Sequence, residues 1–436
     1  IIATKASYNG GGVFVDNGGE FTMSGGTLSE NTANSDGGGI FNASTVTMSG
    51  AASIPAGENS KNDVYLASGK TITVAGTLTA ESPVATITLP NYTAGTQVLS
   101  AGDDVTLDGS ICNKFAVTPQ ADGTGWRVAP NNGGTDGVLA EIDTIYLDYY
   151  GSNANLGLTA SGAVNRLSKA IELYDAYNAQ KIMVCANYKL RSDESTLLDR
   201  AGKRNLTLVR YDGSSDVPSS FTGTLLSISQ GDVAITNVTL DGSKEKVTAG
   251  GALLYIGGSS TIVTLGDGAI LCNNKKKGNG SGVYIDSGTF RMTGGTVTEN
   301  DTVSYRGAGV YLNGGKFEMS GGKIIGNTVT TSHYEGGGVY INGGTFEMSG
   351  GEISGNEAYR GGGVYINDSC TFNMTDGKIT GNIATNSGGG VFNGGTFTMS
   401  GGEITGNTAS SGGNGVFTSI ISSATFTKTD NCIVQN

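Results

Sequence analysis

Residues 338–356 read GVYINGGTFEMSGGEISGN, and variants of this phrase recur through the second half of the chain. In each copy a methionine precedes the closing asparagine by eight residues, whereas the interval from that asparagine to the next valine varies from 8 to 12. Constant spacing predicts regular structure within the phrase, and variable spacing predicts a loop at the junction. The copies open at Val283, Val310, Val339, Val364 and Val391, and they close at Asn300, Asn327, Asn356, Asn382 and Asn407.

Apolar and polar residues alternate within the phrase with the period of a β-strand. Val339, Phe346 and Ile353 are expected to face inward. Tyr340 and Glu347 are expected to face outward. Paired glycines separate three short strands, GVYI, TFEM and EIS, in a repeat of 25 to 29 residues. This pattern predicts one coil of a parallel β-helix, in which equivalent residues of neighbouring coils lie about 4.8 Å apart.

Two rows of polar residues fit vertical stacking of the coils. The residues that precede the last apolar position of each copy are Thr296, Lys323, Glu352, Lys378 and Glu403. Opposite charges on neighbouring coils would stabilise the stack by roughly 0.2–1 kcal/mol per pair. The five closing asparagines are interpreted as a structural ladder of turn amides that hydrogen-bond from coil to coil.

Composition excludes several classes of function. The chain has 436 residues, 73 of them glycine, and a formal net charge of −12, which argues against a nucleic-acid partner. A single histidine excludes His-rich zinc sites, and the five widely spaced cysteines suggest no metal site or disulfide framework. No metal or other cofactor is expected, although the repeated TLDGS turn leaves calcium possible without a motif for it. No apolar window reaches the ~20 residues of a transmembrane segment.

The repeats divide the chain into two tandem solenoid units. Residues 1–62 are predicted to be the last coils of a first β-helix, 63–129 its terminating β-structure and 130–141 a linker. Residues 142–205 are predicted to be the N-terminal cap of a second unit and 206–436 its β-helix. A short capping helix is expected near 161–178, with Ser161 as N-cap and Val164 on its buried face.

Degenerate copies extend the second unit at both ends. Ile270 and Asn273 are expected in the isoleucine and asparagine positions of an early coil. At the other end, Ile433 and Asn436 are expected in register with Ile404 and Asn407. Both ends of the chain then cut through the repeat, so it is expected to be a fragment that stops at a coil boundary.

The start of the second unit and the repeats resemble a known group of proteins. Residues 145–171, IYLDYYGSNANLGLTASGAVNRLSKAI, resemble the lead-in of secreted bacterial pectate-lyase-like β-helix proteins. The repeats, with their GG-G/A-V/I and I-x-x-N elements, are similar to surface-protein repeats of spirochaetes and gut Firmicutes. More distantly, they are similar to repeats of chlamydial polymorphic outer-membrane proteins. The resemblance covers nearly all of the chain and implies an exported bacterial protein, anchored at the surface or secreted and often adhesive.

The resemblance also leaves an enzyme as an alternative, since polysaccharide lyases and glycoside hydrolases share this fold. The candidate catalytic residues are Glu318 and Glu347, whose Cα atoms would lie ~4.8 Å apart on adjacent coils. Arg291 can pair with Glu318, and Lys316 stands one outward position away. The alternative for these residues is a solvated row of charges. The residue set of polygalacturonase-like enzymes is not found.

An aromatic row has the most binding potential. Its members are Tyr284, Tyr311, Tyr340, Tyr365 and Phe392, continued by Phe417 and preceded in the first unit by Phe14 and Phe41. An outward ribbon of stacked rings would bind glycan rings or a partner protein. The alternative is that the rings only stack on one another or lie under the junction loops.

These observations predict an all-β, right-handed parallel β-helix solenoid in two tandem units, with handedness from the crossover rule and from the resemblance. The expected function is a non-catalytic stalk or adhesin, extracellular or on a bacterial cell surface. Its partner would be a glycan or protein of a host or neighbouring cell, or further copies of itself. The alternatives are a carbohydrate-active enzyme and a subunit of an extracellular filament joined through end-to-end pairing of coils.

Overall fold

A computed structural model describes residues 1–57, 61–131, 133–213, 220–420 and 423–435. The chain is nearly all β, with 43% strand and 4% helix, and it forms a parallel β-solenoid of about 15 coils. The predicted fold class is thereby confirmed. Three helical segments lie in the described residues, at Gly109–Cys112, Leu167–Ala176 and, as a 3-10 turn, Ser192–Glu194.

The chain divides into two compact units. One comprises Ile1–Ile145 with Glu172–Gln180, and the other comprises Tyr146–Ile171 with Lys181–Asn436. The helix Leu167–Ala176 therefore contributes residues to both units.

The first unit begins with parallel coils and ends in antiparallel strands. Its two-stranded sheet pairs Lys5–Ala6 with Thr32–Ala33. The strands of its larger sheet are, in spatial order, Val13–Val15, Ile40–Asn42, Val64–Leu66, Ala85–Thr88, Phe115–Val117, Trp126–Pro130, Asp136–Glu141, Gln97–Ala101, Ile72–Leu78, Thr45–Gly50 and Glu20–Met23. Asp136–Glu141 pairs antiparallel with both of its neighbours. Residues 130–141 were expected to be a linker, but Asp136–Glu141 within this range is a strand of the sheet, with the side chain of Leu139 buried.

In the second unit the described strands form three sheets, and the strands paired in register run parallel to one another. The wide sheet contains Thr144–Leu147, Lys181–Val184, Leu206–Arg210, Asp232–Ile235, Val238–Asp241, Ile262–Leu265, Ile270–Cys272, Thr289–Met292, Thr296–Thr298, Lys316–Met319, Lys323–Ile325, Thr345–Ser354, Thr371–Thr380, Thr396–Met399, Glu403–Thr405, Thr425–Lys428 and Ile433–Val434. Coil stacking begins within the predicted cap, residues 142–205, because Lys181–Val184 pairs in parallel with Leu206–Arg210.

The remaining strands of each coil form the other two sheets. The narrow sheet contains Tyr188–Lys189, Leu226–Ile228, Leu254–Ile256, Val283–Ile285, Val310–Leu312, Val339–Ile341, Val364–Ile366, Val391–Asn393 and Val416–Thr418. The short-strand sheet contains Thr248–Ala249, Lys275–Lys276, Asp301–Thr302, Thr328–Val329, Glu357–Arg360, Ile383–Ser387 and Thr408–Ala409. Regular coils therefore have one strand more than predicted, although the two wide-sheet strands are continuous in the coils that contain Thr345–Ser354 and Thr371–Thr380. The additional strand lies just after the closing asparagine, where a loop alone was expected.

The core consists of ladders of identical side chains, as predicted. The valines, phenylalanines and methionines of successive copies are Cα partners in the sheets. Phe290, Phe317, Phe346, Phe372 and Phe397 are fully buried, and their ring centroids are 4.5 to 5.3 Å apart. Removal of each buried side chain from water stabilises the fold by roughly 1.5–3 kcal/mol.

Glycine conservation between the copies has a steric cause at the start of each coil. A Cβ on Gly338 would lie 2.6 Å from the carbonyl oxygen of Gly363 on the next coil and 3.0 Å from Asn356 Nδ2. The backbones and the buried asparagine leave no room there for a side chain.

The register of both degenerate coils differs from the prediction by one residue. Leu271, not Ile270, is the partner of Val297, and Asn274, not Asn273, joins the asparagine ladder, because the preceding turn has one additional residue. At the other end, Val434 pairs with Ile404, whereas Ile433 pairs with Glu403 and is exposed. The expected position of Asn436 lies outside the described residues.

The predicted helix near 161–178 exists but begins later, at Leu167. Ser161 is therefore not its N-cap, and Val164 lies before the helix, in a parallel bridge to Leu147. The Leu167 N–H donates to Glu194 Oε1 at 2.9 Å and to Tyr188 Oη at 2.7 Å. A carboxylate near a helix N-terminus also interacts favourably with the helix dipole.

Candidate functional site

The aromatic row forms a continuous stack along the narrow sheet. This aromatic ladder comprises the middle residues of successive strands, Tyr255, Tyr284, Tyr311, Tyr340, Tyr365, Phe392 and Phe417. Neighbouring ring centroids are 4.8 to 5.8 Å apart, within the range of favourable aromatic pairs. Phe14, Phe41 and Tyr65 form a shorter stack in the first unit, with centroids 5.2 Å apart.

The middle of the aromatic ladder is covered. Tyr311 and Tyr340 are 4% and 3% exposed, although their side chains point away from the interior of the coil. Burial raises the pKa of Tyr311 to about 12 and raises that of Tyr340 further. Tyr284 and Tyr365 remain half-buried. A ligand therefore has more access to these two rings than to the rings between them.

Cations from the junctions that precede the narrow-sheet strands cover part of the ladder. The Arg306 guanidinium lies 5.5 Å from the ring centroid of Tyr340, and the Arg360 guanidinium lies 5.4 Å from that of Phe392. Phe392 is buried like the central tyrosines. Arg306 is held in place by Glu335 Oε2, which accepts a hydrogen bond of 2.8 Å from its Nε. Cation–π contacts of this kind stabilise a desolvated ring face.

The closing asparagines form a buried hydrogen-bonded ladder. The backbone N–H of each asparagine before Asn407 donates to the side-chain Oδ1 of the asparagine on the next coil at 2.9 to 3.2 Å. Asn356 also donates from Nδ2 to Ile324 O and to Asn382 Oδ1, both at 2.9 Å. The members are Asn274, Asn300, Asn327, Asn356, Asn382 and Asn407. This geometry is structural, since it satisfies buried polar groups in the interior.

A second amide ladder, which the sequence analysis missed, lies on the outside of the turn after the narrow sheet. Asn342 Nδ2 donates to Asn313 Oδ1 at 3.1 Å, and Asn313 Nδ2 donates to Asp286 Oδ1 at 3.0 Å. Asn342 and Asn367 are in the same register, but their contact is longer, at 3.4 Å. The identical position of these residues after each GVYI-type strand was the signal that could have revealed the outer ladder.

Glu318 and Glu347 lie side by side in a groove on the wide sheet. They are Cα partners on adjacent coils, and the groove around them has a volume of about 580 Å³. Lys316 Nζ is 2.8 Å from Glu318 Oε1 and 2.7 Å from Glu347 Oε2, so one ammonium joins both carboxylates. Arg291 Nε adds a 2.7 Å bond to Glu318 Oε2.

These cations favour the ionised form of Glu318. Lys316 and then Arg291 hold the pKa of Glu318 below its usual value. A general acid in glycoside hydrolysis needs the opposite shift, since it must carry a proton near neutral pH. Glu318 is thus suited to an ion pair and poorly suited to donate a proton.

The predicted alternation of charge is confirmed along the row that precedes the last apolar position. Lys323 Nζ is 3.6 Å from Glu352 Oε2, and Lys378 Nζ is 3.7 Å from Glu403 Oε2, each pair on adjacent coils. All four side chains are at least about one-third exposed, so each pair adds little stability in salt.

The described residues contain no group of three or more His, Cys, Asp or Glu side chains placed to hold a metal ion. The two TLDGS aspartates have local partners. Asp108 caps the helix Gly109–Cys112, and Asp241 accepts from the Ser243 N–H at 2.8 Å. Burial raises the pKa of the Cys112 and Cys272 thiols to about 11 and about 12, so these thiols stay protonated at neutral pH.

A buried polar cluster near the start of the second unit was also missed. The Glu194 carboxylate and the Tyr188 ring are each 1% exposed, and Tyr188 Oη donates to Glu194 Oε2 at 2.7 Å. Arg191 Nη1 donates to Tyr188 Oη at 2.8 Å and to Asn165 O at 2.7 Å. These residues fall outside the repeat, so no spacing pattern could identify them.

Comparison of this chain with protein-family models, with curated proteins and with solved structures returned no match. None of the helices within the described ranges is long and apolar enough to cross a membrane.

Proposed function

We propose that this chain is a non-catalytic β-solenoid protein that a bacterium secretes or carries on its cell surface. It serves there as a stalk or adhesin. The observation that carries the proposal is the repetition of the same outward rows on successive coils, with the groove carboxylates engaged in ion pairs. A repeated surface presents many equivalent contacts along one direction. Nine stacked strands of the narrow sheet give the second unit a reach of roughly 40 Å.

The contact surface is assigned to the more accessible rings of the aromatic ladder. Tyr284 and Tyr365 are half-buried and lie on either side of the covered tyrosines. Partly exposed aromatic rings contribute apolar area together with a polar tip, which suits contact with a glycan or a protein. The partner is a glycan or protein of a host or neighbouring cell, or another copy of the chain.

Binding of the purified chain to an array of glycans and extracellular-matrix proteins, with and without calcium, tests this proposal. Tyr284→Ala and Tyr365→Ala should weaken binding, whereas Tyr284→Phe, which keeps the ring, should retain most of it. Circular dichroism of each variant would separate lost binding from lost folding. An absence of binding to every component, with the chain folded, would contradict the adhesin role.

One observation favours an enzyme as the alternative. Glu318 and Glu347 are adjacent in a groove, as the two carboxylates of a glycoside hydrolase are. Turnover of a polysaccharide that is abolished by Glu318→Gln and by Glu347→Gln would support that alternative. Glu352→Gln, outside the groove on the same sheet, is the matched control and should leave any such turnover unchanged.

A further inference from the structure

The aromatic ladder ends at Tyr255. One face of this ring stacks on Tyr284, with centroids 5.8 Å apart. On the preceding coils the same position is occupied by Ser227 and then by Lys189, which have no ring. The face of Tyr255 opposite Tyr284 therefore has no ring neighbour in the register of the sheet. The hydroxyl of Tyr255 donates to Asp286 Oδ2 at 3.0 Å, which fixes the ring in this orientation.

A cleft of about 800 Å³ lies on this side of Tyr255, entirely within the second unit. Its volume is within the range of small-molecule sites. Two aromatic residues, Tyr149 and Tyr255, contribute to its wall. The other side chains available to a ligand are mostly amides, hydroxyls and cations, namely those of Asn187, Lys189, Arg191, Ser227, Ser229 and Gln230.

Contacts with neighbouring side chains hold the Arg191 guanidinium in place. Its Nη1 is bonded to the buried Tyr188 hydroxyl, and its guanidinium lies 4.8 Å from the ring centroid of Tyr149. Glu194, itself 1% exposed, accepts a hydrogen bond from the Arg191 N–H at 3.3 Å as well as from Tyr188. A side chain fixed by such supporting contacts loses little freedom when a ligand binds.

The cleft is also locally positive in an acidic protein. Lys189 and Arg191 contribute two cations, and within the described residues Lys189 forms no ion pair. The one carboxylate in the lining, Asp193, is bonded to Arg166, which keeps its pKa below the usual value. An anionic group would therefore find two cations here: Lys189, and an oriented Arg191 whose Nη1 lies 3.8 Å from Oε2 of the buried Glu194.

We propose that this cleft binds an anionic saccharide, with a sugar ring on the open face of Tyr255 and its carboxylate or sulfate on Lys189 and Arg191. The hydroxyls of the sugar would bond to Asn187 and Gln230. An aromatic face that is surrounded by amides and hydroxyls matches the apolar face and polar edge of a pyranose ring. This inference rests on the proposed function of ligand binding without chemistry, and it names the class of ligand.

Calorimetric titration of the full chain with three sugars tests the proposal. Sialyllactose offers a carboxylate, a sulfated heparin disaccharide offers sulfates, and lactose is the neutral control. We expect the chain to bind one of the two anionic sugars, and the preferred one identifies the anionic group. Lys189→Gln should weaken that binding roughly tenfold, as expected for the loss of one charge-assisted contact.

Ser227→Tyr is the decisive variant, because it extends the aromatic ladder by one ring and covers the open face of Tyr255. Binding should be lost while the melting temperature stays equal or rises. Tyr255→Phe, which keeps the ring, should bind nearly as well as the unaltered chain.

Two results would overturn the inference. One is that neither anionic sugar binds, and the other is that Ser227→Tyr is folded and binds like the unaltered chain. If array ligands bind the chain but neither anionic sugar does, the cleft proposal fails and the adhesin proposal stands. If a sugar binds in the cleft and is cleaved, the cleft proposal stands and the non-catalytic role fails.

Discussion

Replacement of Asn356 by alanine tests the role of the buried asparagine ladder. The Asn356 side chain makes four hydrogen bonds of 2.9 Å: it donates to Ile324 O and Asn382 Oδ1 and accepts from the N–H and the Nδ2 of Asn327. Asn327 Nδ2 keeps its bond to Val297 O. The Asn327 backbone N–H, in contrast, loses its bond to Asn356 Oδ1 and stays buried.

The expected cost follows from these contacts. One orphaned buried donor costs about 1–3 kcal/mol, and each further hydrogen bond lost adds about 1 kcal/mol. We therefore expect Asn356→Ala to lower the free energy of unfolding by about 3–4 kcal/mol, since some bonds are replaced by partners that remain. Because neighbouring coils stabilise one another, the loss should appear in the cooperative unfolding of the second unit.

The outer amide ladder provides a matched control. Asn342 follows the narrow strand of the same coil, is exposed, and donates to Asn313 at 3.1 Å. Asn342→Ala should cost no more than about 0.5 kcal/mol, because water replaces the lost partners. Urea unfolding followed by circular dichroism measures both variants. Equal effects of the two substitutions would refute the claim that the inner ladder stabilises the solenoid through burial.

Three further predictions concern the core and its titratable groups. Phe346→Ala should lower the free energy of unfolding by about 3–5 kcal/mol in a urea titration. The ring is fully buried between two neighbouring rings whose centroids lie 4.5 and 4.6 Å from its own. Phe14→Ala, at a half-exposed ring, should cost far less. Gly338→Ala should cost about 1–3 kcal/mol, since its Cβ would lie 2.6 Å from the next coil's backbone; a melting temperature equal to that of the unaltered chain would contradict this close approach. Burial lowers the pKa of Lys276 from 10.5 to about 8. Between pH 8 and pH 10.5 the unfolded state therefore binds more protons than the folded state, and the folded state gains stability as the pH rises. The stability of Lys276→Met relative to the unaltered chain should therefore fall from pH 8 to pH 10.5, and a pH-independent difference would contradict the buried charge.

The regular coils could be predicted from the sequence because each copy has one invariant interval. The eight residues from Met348 to Asn356 fix which side chains face inward, and the observed ladders follow that register. The same reasoning failed where the interval changed. One additional residue before Leu271 moved the true ladder member to Asn274, although Asn273 kept the apparent spacing. The two-residue strands at the junction are too short to show a period.

The candidate sites were predictable only where they follow the repeat. The stacking of Tyr311 on Tyr340 follows from the register of the coils. The burial of these rings does not, because Arg306, which covers Tyr340, lies in a junction of variable length. The cleft beside Tyr255 combines segments that are far apart in sequence and outside the repeat. The capping of Leu167 by Glu194 is equally non-local, which is why Ser161 was wrongly expected in that role.

Product analysis on a glycan that the chain binds is the most direct test of the proposed non-catalytic role. The chain would be incubated with the bound glycan for many hours, with and without calcium, and the glycan would then be examined for new reducing ends and unsaturated sugars. The proposal predicts that the glycan is recovered intact, because Lys316 pairs with both groove carboxylates and Arg291 also pairs with Glu318. Shortened glycan, lost in a folded Glu318→Gln or Glu347→Gln variant, would contradict the proposal and identify an enzyme.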